Sequence, residues 1–539
     1  MMTTTTFAAR VVARTPTRPR LKPKTRSFLL ALSGLAALLG IWILAASTIG
    51  VTAKIIPQPW TVVQALFSDG FYGPNLATTL WEAFRGFLIG NVAAVVAGAI
   101  CILWPRLRSS VMQFAAATYS APAVAVGPIL IVFVDSDTTK VVISALAVFF
   151  VSASGILLGL SSASASSLEL IHAMGGSTWF GLRKVRLRFA VPAAAAGIAL
   201  SAPGALLGAI VAEYLGGDSG IGVAMVQSQQ AMEVPRTWAL ALLATLVSAA
   251  GYIAVSLVAR RFTFEMINND AAVARAARPV KREGWRRAGV PLGKLVGGIA
   301  IACGFWYALF WALQLDSYLA KTPGDILAFL TVSPGAADHR SIIFGALGVT
   351  LQDAAVGYVA GSVVAIVAAI AIQFSPVLGA MFMPIAMTLR SIPLVALTPL
   401  VGLVFGRGLL GVMVLTATIT FVPTLVNLSV GMKQTPRSAE DLLHAYDAGW
   451  KRAILVRTMF ALPSLVTSAR IAIPGAILGA VLAEYLATAT GLGHLIALSS
   501  ANSDFSTLWA AVTVTTVISI IFYALLSRLE SAAVSKLSP

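Results

Sequence analysis

The chain contains the same block of sequence twice. Residues 202–222 read APGALLGAIVAEYLGGDSGIG, and residues 473–493 read IPGAILGAVLAEYLATATGLG. Aligned without a gap, 12 of the 21 positions are identical, and the two copies lie 271 residues apart in a chain of 539. A repeat of this length indicates one folding unit used twice, so the fold is predicted to consist of two related halves.

The composition places both halves in a membrane. Hydrophobic residues make up 58% of the chain and charged residues only 11%, whereas a soluble domain carries about 25% charged residues. Apolar runs of roughly 20 residues, the length that crosses a bilayer core, recur along the whole chain. We therefore predict an all-α polytopic membrane protein. A large soluble helical protein is disfavoured because its helices would need a polar face, which these segments lack.

Twelve membrane spans are predicted, six in each half. They lie near residues 27–50, 80–103, 110–134, 139–160, 191–215 and 237–259, and near 293–315, 346–372, 379–404, 408–431, 463–486 and 506–527. Because each half has an even number of spans, both halves enter the membrane in the same direction. They are parallel repeats, related by an axis along the membrane normal.

The net charge of +17 is concentrated in clusters beside the spans. Basic residues collect on cytoplasmic flanks, so this pattern puts both termini in the cytoplasm and argues against nucleic-acid binding. The predicted segments are a basic cytoplasmic tail (1–26), a first six-span unit (27–259), a basic cytoplasmic linker (260–292), a second six-span unit (293–527) and a cytoplasmic tail (528–539). The linker resembles a joint between two formerly separate subunits.

The longest cytoplasmic loops follow the fourth span of each half. The first contains SSLELIHAMGGSTWFGLRKVRLRFAVP at 166–192, and the second contains SAEDLLHAYDAGWKRAILVRTMFALP at 438–463. A serine cap, an acid in the first turn and an apolar run predict a short helix in both loops, which Gly175 and Gly176 can end in the first. Such a helix could lie on the membrane surface or could dock another protein.

These loops resemble the cytoplasmic signature loop of ABC importer permeases. Glu169, Gly175, Gly176 and Pro192 match the motif in the first half, and Asp441, Ala448 and Pro463 match it in the second, where Asp447 replaces the usual Gly. The blocks TTLWEAFRGFLIG (78–90) and VTLQDAAVGYVAG (349–361) are similar to the nitrate/sulfonate/taurine permease subfamily. The resemblance covers nearly all of each half, so the chain looks like two such permeases fused.

The resemblance implies a type I ABC importer fold in the bacterial cytoplasmic membrane. The chain would form the pathway for a small polar or anionic solute and need no second permease chain. Its implied partners are two copies of an ATPase, which bind ATP and Mg, and a periplasmic or lipid-anchored substrate-binding protein. The ATPases would contact the loops through Glu169, His172, Gly175, Gly176, Glu440, Asp441, His444 and Asp447.

No cofactor is expected in the chain itself. It contains no GxxxxGK[ST] loop for a nucleotide and no metal-ligand spacing. Without a nucleophile elbow or another catalytic motif, the sequence also gives no reason to expect an enzyme.

Two pairs of prolines mark a candidate pathway. Pro122 and Pro128 lie six apart in span three, and Pro393 and Pro399 lie six apart in span nine. Each proline removes a helical hydrogen bond, so these spans are predicted either to line a pathway with freed backbone groups or to carry plain packing kinks. Arg390 lies roughly 16 Å into its span, where it would face an anionic solute or form a structural ion pair.

The repeated block itself supplies two further predictions. Glu213 and Glu484 either meet across the axis between the halves as an outer gate, or reach the membrane interface beside Tyr214 and Tyr485. Small residues let helices approach closely in lipid. The glycines expected to form the interface between the halves are Gly204, Gly208, Gly475 and Gly479.

An alternative class is a twelve-span secondary transporter driven by an ion gradient. It would need acids inside the membrane to carry the coupling ion. The candidates in the spans are Glu82, Glu213, Asp353 and Glu484.

Overall fold

The computed structural model describes most of the two halves. With gaps, the described residues are 32–34, 36–37, 39–48, 56–68, 72–104, 107–108, 111, 115, 127, 130–131, 134–161, 165–263, 303–304, 306–308, 310–311, 314, 316–375, 378–379, 383 and 394–537. Within these ranges the regular structure is helical throughout.

Besides helical residues such as those within 32–34, 36–37 and 39–48, the described residues of the first half contain eight helices with defined ends and one short π-helical segment. They are α1 (Pro59–Ser68), α2 (Tyr72–Leu103), α3 (Ser136–Ser161), α4 (Ala165–Ala173), α5 (Thr178–Gly181), the π-helical segment Leu182–Arg186, α6 (Leu187–Gly216), α7 (Ile221–Gln230) and α8 (Val234–Thr263). The described helices of the second half are α9 (Pro323–Thr331), α10 (Ala336–Phe374), α11 (Leu394–Phe405), α12 (Leu409–Lys433), α13 (Arg437–Ala445), α14 (Trp450–Ala487), α15 (Gly491–Ala501) and α16 (Phe505–Leu537).

Among the described residues, eight segments are long and apolar enough to cross a membrane. They correspond to predicted spans two, four, five and six of the first half and to their partners in the second. This confirms an all-α polytopic membrane protein. The other predicted spans, 27–50, 110–134, 293–315 and 379–404, fall wholly or partly outside the described residues.

Several helices continue beyond the apolar stretches that predicted them. Helix α14 begins at Trp450 rather than at residue 463, α8 runs on to Thr263 into the predicted linker, and α16 runs on to Leu537 into the predicted tail. Hydropathy marks only the part of a helix that lies in hydrocarbon, whereas backbone hydrogen bonding extends a helix into polar surroundings as well.

The small residues of span five pack against span four of the same half. A Cβ atom at Gly208 would lie 2.6 Å from the Cα of Ser144, and one at Gly479 would lie 3.5 Å from the Cα of Thr416. Gly204 faces Ala147, and Gly475 faces Ile419. The prediction that Gly204, Gly208, Gly475 and Gly479 form the interface between the halves is therefore wrong. A glycine permits close approach but does not specify which helix approaches.

The halves meet instead through α11 and the ends of α6 and α14. Leu400 of α11 is buried in the apolar core of the first half. At the helix ends, Leu482 packs against Val211, Tyr214, Leu215, Tyr485 and Leu486. A cavity of about 80 Å³ beside this seam is lined by residues of both halves, among them Gln229 and Arg407. The two Ala-Glu-Tyr-Leu blocks thus do face each other, through their tyrosine and leucine side chains.

Candidate functional site

The repeated glutamate of the first half ties three helices together. One carboxylate oxygen of Glu213, Oε1, accepts a hydrogen bond from Oγ1 of Thr79 at 2.6 Å, and Oε2 accepts the N–H of Gly222 at 2.7 Å. Thr79 in turn accepts the N–H of Ile221 at 2.9 Å. The carboxylate of α6 therefore caps the N-terminus of α7, where free N–H groups and the helix dipole favour a negative charge.

The second half repeats this arrangement at equivalent positions, except that one carboxylate oxygen accepts both hydrogen bonds. Oε2 of Glu484 accepts hydrogen bonds from Oγ1 of Thr350 at 2.8 Å and from the N–H of Gly493 at 2.9 Å. Thr350 accepts the N–H of Leu492 at 2.8 Å. Each residue lies 271 positions after its counterpart in the first half, so the block that recurs in the sequence is a capped turn that recurs in the structure.

Two glycines make room for these carboxylates. Gly220 has a φ of 119° and Gly491 a φ of 90°, values that side chains with a Cβ rarely adopt. A Cβ atom on either glycine would also overlap the carboxyl group of Glu213 or Glu484. The Gly-Ile-Gly and Gly-Leu-Gly sequences are thereby explained by close approach of backbone to carboxylate.

Both predictions for Glu213 and Glu484 are wrong. The two residues are 1% and 0% exposed, and each carboxylate is bound inside its own half. They neither meet across the axis nor reach the membrane interface. On a helix the next residue points about 100° away, so Tyr214 and Tyr485 occupy the seam instead.

A second acid lies beside each glutamate. Glu82 and Asp353 follow Thr79 and Thr350 by three residues, so each is on the same helix face as the threonine. Both acids are buried, and each interacts with the glutamate of its own half. Each half therefore holds two carboxyl groups side by side.

Only the first half is shown to place a lysine on this pair. Nζ of Lys140 lies 3.0 Å from Oε1 of Glu82, and both side chains are 2% exposed. Lys140 also contacts Asp137 at 3.1 Å, whose side chain is 70% exposed. This site has a signal in the sequence, because Lys140 is a cation at the start of an apolar span.

The equivalent position in the second half is apolar. Gly208 faces Ser144 and Gly479 faces Thr416, so spans four and ten correspond at a spacing of 272 residues. Lys140 then corresponds to Val412, which is 1% exposed and packs in the apolar core of the second half.

The loop helices α4 and α13 end in the same way. Gly175 has a φ of 77°, and the N–H of Gly176 donates to the carbonyl of Ile171 at 2.8 Å. Asp447 has a φ of 43°, and the N–H of Ala448 donates to the carbonyl of Leu443 at 2.9 Å. Both ends form the left-handed motif that commonly stops a helix, so Asp447 adopts the backbone conformation of Gly175.

The starts of these helices differ from the prediction. Helix α4 begins at Ala165 and α13 at Arg437, with Pro436 in the cap position. Ser438 therefore lies inside the first turn of α13 and is not its cap residue, and Ser166 lies within α4.

Equivalent apolar side chains are exposed on the two loops. Leu170, Met174 and Trp179 of the first loop are more than half exposed, as are Leu442, Tyr446 and Trp450 of the second. The acids Glu169 and Asp441 and the ring of His444 are exposed beside them, while the side chain of His172 lies outside the described residues. Each loop thus presents an apolar knob rimmed by an acid.

The two loops are attached to their spans differently. Arg457 of α14 forms a bidentate ion pair with Glu440 of α13, at 2.8 and 3.0 Å. The Arg457 guanidinium lowers the pKa of the Glu440 carboxyl below its ordinary value. In the first half the equivalent positions are Leu168 and Arg186, and Arg186 ends the π-helical segment.

The proline and arginine predictions cannot be placed. Pro122, Pro128, Arg390 and Pro393 lie outside the described residues, and Pro399 lies within α11 with a side chain that is not described. Their roles in a pathway stay predictions.

These features define an integral membrane protein made of two copies of one helical unit, each with a capped turn at one end of span five and an exposed loop helix at the other. The chain belongs to the family of binding-protein-dependent transport system inner membrane components, whose family model matches it twice, over residues 86–264 and 361–535. This confirms the family expected from the sequence.

Known relatives match little more than a third of the chain. An ABC transporter permease protein of Haemophilus influenzae is 28% identical over 211 residues, which cover 38% of this chain and 86% of the relative. The formylaminopyrimidine transport permease ThiX of Halalkalibacterium halodurans is 28% identical over 194 residues, covering 36% of this chain and 77% of the relative. The aliphatic sulfonates transport permease SsuC of Bacillus subtilis is 26% identical over 209 residues, covering 38% and 75%.

No solved structure matches the chain. The family and these relatives establish it as a transport subunit of the inner membrane rather than an enzyme.

Proposed function

We propose that this chain supplies both permease units of an ATP-driven importer, with α4 and α13 as the docking sites for two copies of an ABC ATPase. The observation that carries the proposal is the pair of equivalent loop helices, each of which exposes an apolar knob beside an acid. Exposed apolar groups at matching places in both repeats suit two identical partner subunits, because the same surface is then presented twice.

The proposed orientation puts these loops and both termini in the cytoplasm. Arg183, Lys184, Lys451 and Arg452 flank the loop helices, as expected for a cytoplasmic side. The capped turns at the other end of span five then lie on the periplasmic side, where a substrate-binding protein would dock. The two six-span units, 27–259 and 293–527, are joined by the linker 260–292, so no second permease chain is required.

The solute is proposed to be small and polar or anionic. Relatives are named as permeases for a formylaminopyrimidine and for aliphatic sulfonates, and Arg390 is a predicted cation inside span nine. ATP and Mg belong to the ATPase partner.

Reconstitution distinguishes the importer from the secondary transporter. We expect the chain to copurify with an ATPase and a solute-binding protein, and to transport in vesicles only when ATP is supplied to the ATPase side. Transport that continues without an ATPase subunit and collapses with the ion gradient would assign the chain to the secondary-transporter class.

Charge reversal tests the docking sites. Glu169→Lys and Asp441→Lys should reduce ATPase binding and uncouple ATP hydrolysis from transport while the chain remains folded. Asp218→Lys is the matched control for ATPase binding, because Asp218 is also an exposed acid but lies at the opposite end of span five. Unchanged ATPase binding in both loop variants would contradict the assignment.

A further inference from the structure

The buried acid pairs of the two halves differ by one positive charge. In the first half, Glu82 and Glu213 share the site with Lys140, whose ammonium is buried with them. In the second half, the position equivalent to Lys140 is the buried Val412, so the pair Asp353 and Glu484 has no lysine there. If every buried acid were ionised, the first site would carry one net negative charge and the second would carry two; Asp137, which also contacts Lys140, is 70% exposed and is solvated by water.

The surroundings of the second pair supply no compensating cation among the described residues. Glu484 receives hydrogen bonds from Thr350 and Gly493, and Asp353 is the neighbouring charged group that acts on it. The packed helices contribute apolar side chains such as Leu492 from α15 and Leu508 from α16. The other titratable residues close in sequence are Tyr485 on α14 and His494 on α15.

One oxygen of the pair is also left without a partner. Oε2 of Glu484 accepts both hydrogen bonds, whereas Oε1 is fully buried and has no hydrogen-bond partner in the described structure. Two buried carboxylates at close range cannot both remain ionised, because their repulsion is strong in a low dielectric and neither is solvated. A carboxylic acid, by contrast, donates from that oxygen to its neighbour.

We propose that Asp353 and Glu484 hold one proton between them, which occupies the role that the Lys140 ammonium has in the first half. The shared proton gives Oε1 of Glu484 a hydrogen bond to the carboxylate of Asp353. It also leaves each site with one net negative charge, which faces the N-terminus of α7 or α15. This inference does not depend on the proposed transport function.

Infrared spectroscopy of the purified full-length chain tests the proton directly. We expect one absorption from a protonated carboxyl group, lost in Asp353→Asn and in Glu484→Gln and kept in Glu213→Gln. A reciprocal exchange sharpens the test: Lys140→Val should double the protonated-carboxyl absorption, and Val412→Lys should abolish it. If Val412→Lys fails to fold, the absorption measured in Lys140→Val, Asp353→Asn and Glu484→Gln still decides whether the two acids share a proton.

The pH dependence of unfolding gives a second readout. The folded chain binds one proton that the unfolded chain releases at neutral pH, so its stability should fall as the pH rises. Glu484→Gln places a neutral hydrogen-bond donor at the same site, so the part of the pH dependence of stability that comes from the shared proton should disappear. The matched variant Glu213→Gln should keep that pH dependence.

Two results would overturn the proposal. The first is a protonated-carboxyl absorption that persists unchanged in both Asp353→Asn and Glu484→Gln, or that is absent from the wild-type chain. The second is an unfolding temperature that rises when sodium replaces potassium at fixed pH and ionic strength and no longer does so in Asp353→Asn, which would assign the site to a metal cation. Neither result bears on ATPase binding, so failure here is distinguishable from failure of the proposed function.

Discussion

Replacing Glu82 by glutamine removes the charge that neutralises Lys140 while keeping the size of the side chain. The Nζ–Oε1 distance is 3.0 Å and both side chains are 2% exposed. At an effective dielectric constant of about 20, that separation corresponds to about 5.5 kcal/mol of attraction. Asp137 retains part of the compensation, although its side chain is 70% exposed. We therefore expect Glu82→Gln to lower the free energy of unfolding by about 3 kcal/mol, the size seen when buried ion pairs are broken.

The assay is thermal or denaturant unfolding of the purified chain in detergent, with the unfolding rate as the readout where unfolding is irreversible. Asp353→Asn is the matched control, because it removes the equivalent acid from a site with no lysine, and should cost less than about 1 kcal/mol. The double variant Glu82→Gln/Lys140→Met should recover most of the loss, since no unpaired ammonium remains. Equal losses in the two single variants, or a double variant as unstable as the sum of its parts, would refute the reasoning.

Three further changes test local parts of the structure by the same unfolding assay. Gly220→Ala and Gly491→Ala should each cost about 1–3 kcal/mol because the new Cβ is strained and overlaps a carboxylate, whereas Gly345→Ala, with open space around it, should be neutral or stabilising. Asp447→Gly should stabilise the chain by about 0.5–1 kcal/mol because its φ is 43°; a loss of stability would show that the Asp447 side chain has a role of its own. Glu440→Ala should cost about 0.5–1 kcal/mol at pH 7. Since Arg457 lowers the pKa of Glu440, that contribution exists above the ordinary carboxyl pKa and disappears as the pH falls through the lowered value, so a cost that persists at strongly acidic pH would contradict the ion-pair account.

The sequence predicted the membrane class and the duplication correctly, because both depend on apolar length and on identity between two segments. It also located the end of the first loop helix, since Gly175 and Gly176 carry a local backbone preference. Span boundaries were less accurate because a helix does not stop where its apolar residues do.

The errors share one physical cause, which is that a local pattern does not specify its partner. Gly208 predicted a close contact between helices, but the helix that packs against it is span four of the same half rather than a helix of the other half. The repeated Glu213 and Glu484 predicted a functional contact at the end of each span. Their hydrogen-bond partners, Thr79 and Thr350, are 134 residues away in the chain. Nothing in the local sequence identifies those pairings.

By itself, the sequence determined that the chain is a membrane protein built from one helical unit used twice, because bilayer thickness sets the length of apolar helices and gene duplication leaves identity behind. Only the tertiary structure decided what the repeated block does. The Ala-Glu-Tyr-Leu helix end turns its glutamate inward to cap the next helix and its tyrosine toward the other half. The same packing placed Lys140 and Val412 at equivalent positions, and with them the one-charge difference between the halves. Which side chains pack against each other depends on how the helices cross in space. That information is distributed over the whole chain rather than held in any single motif.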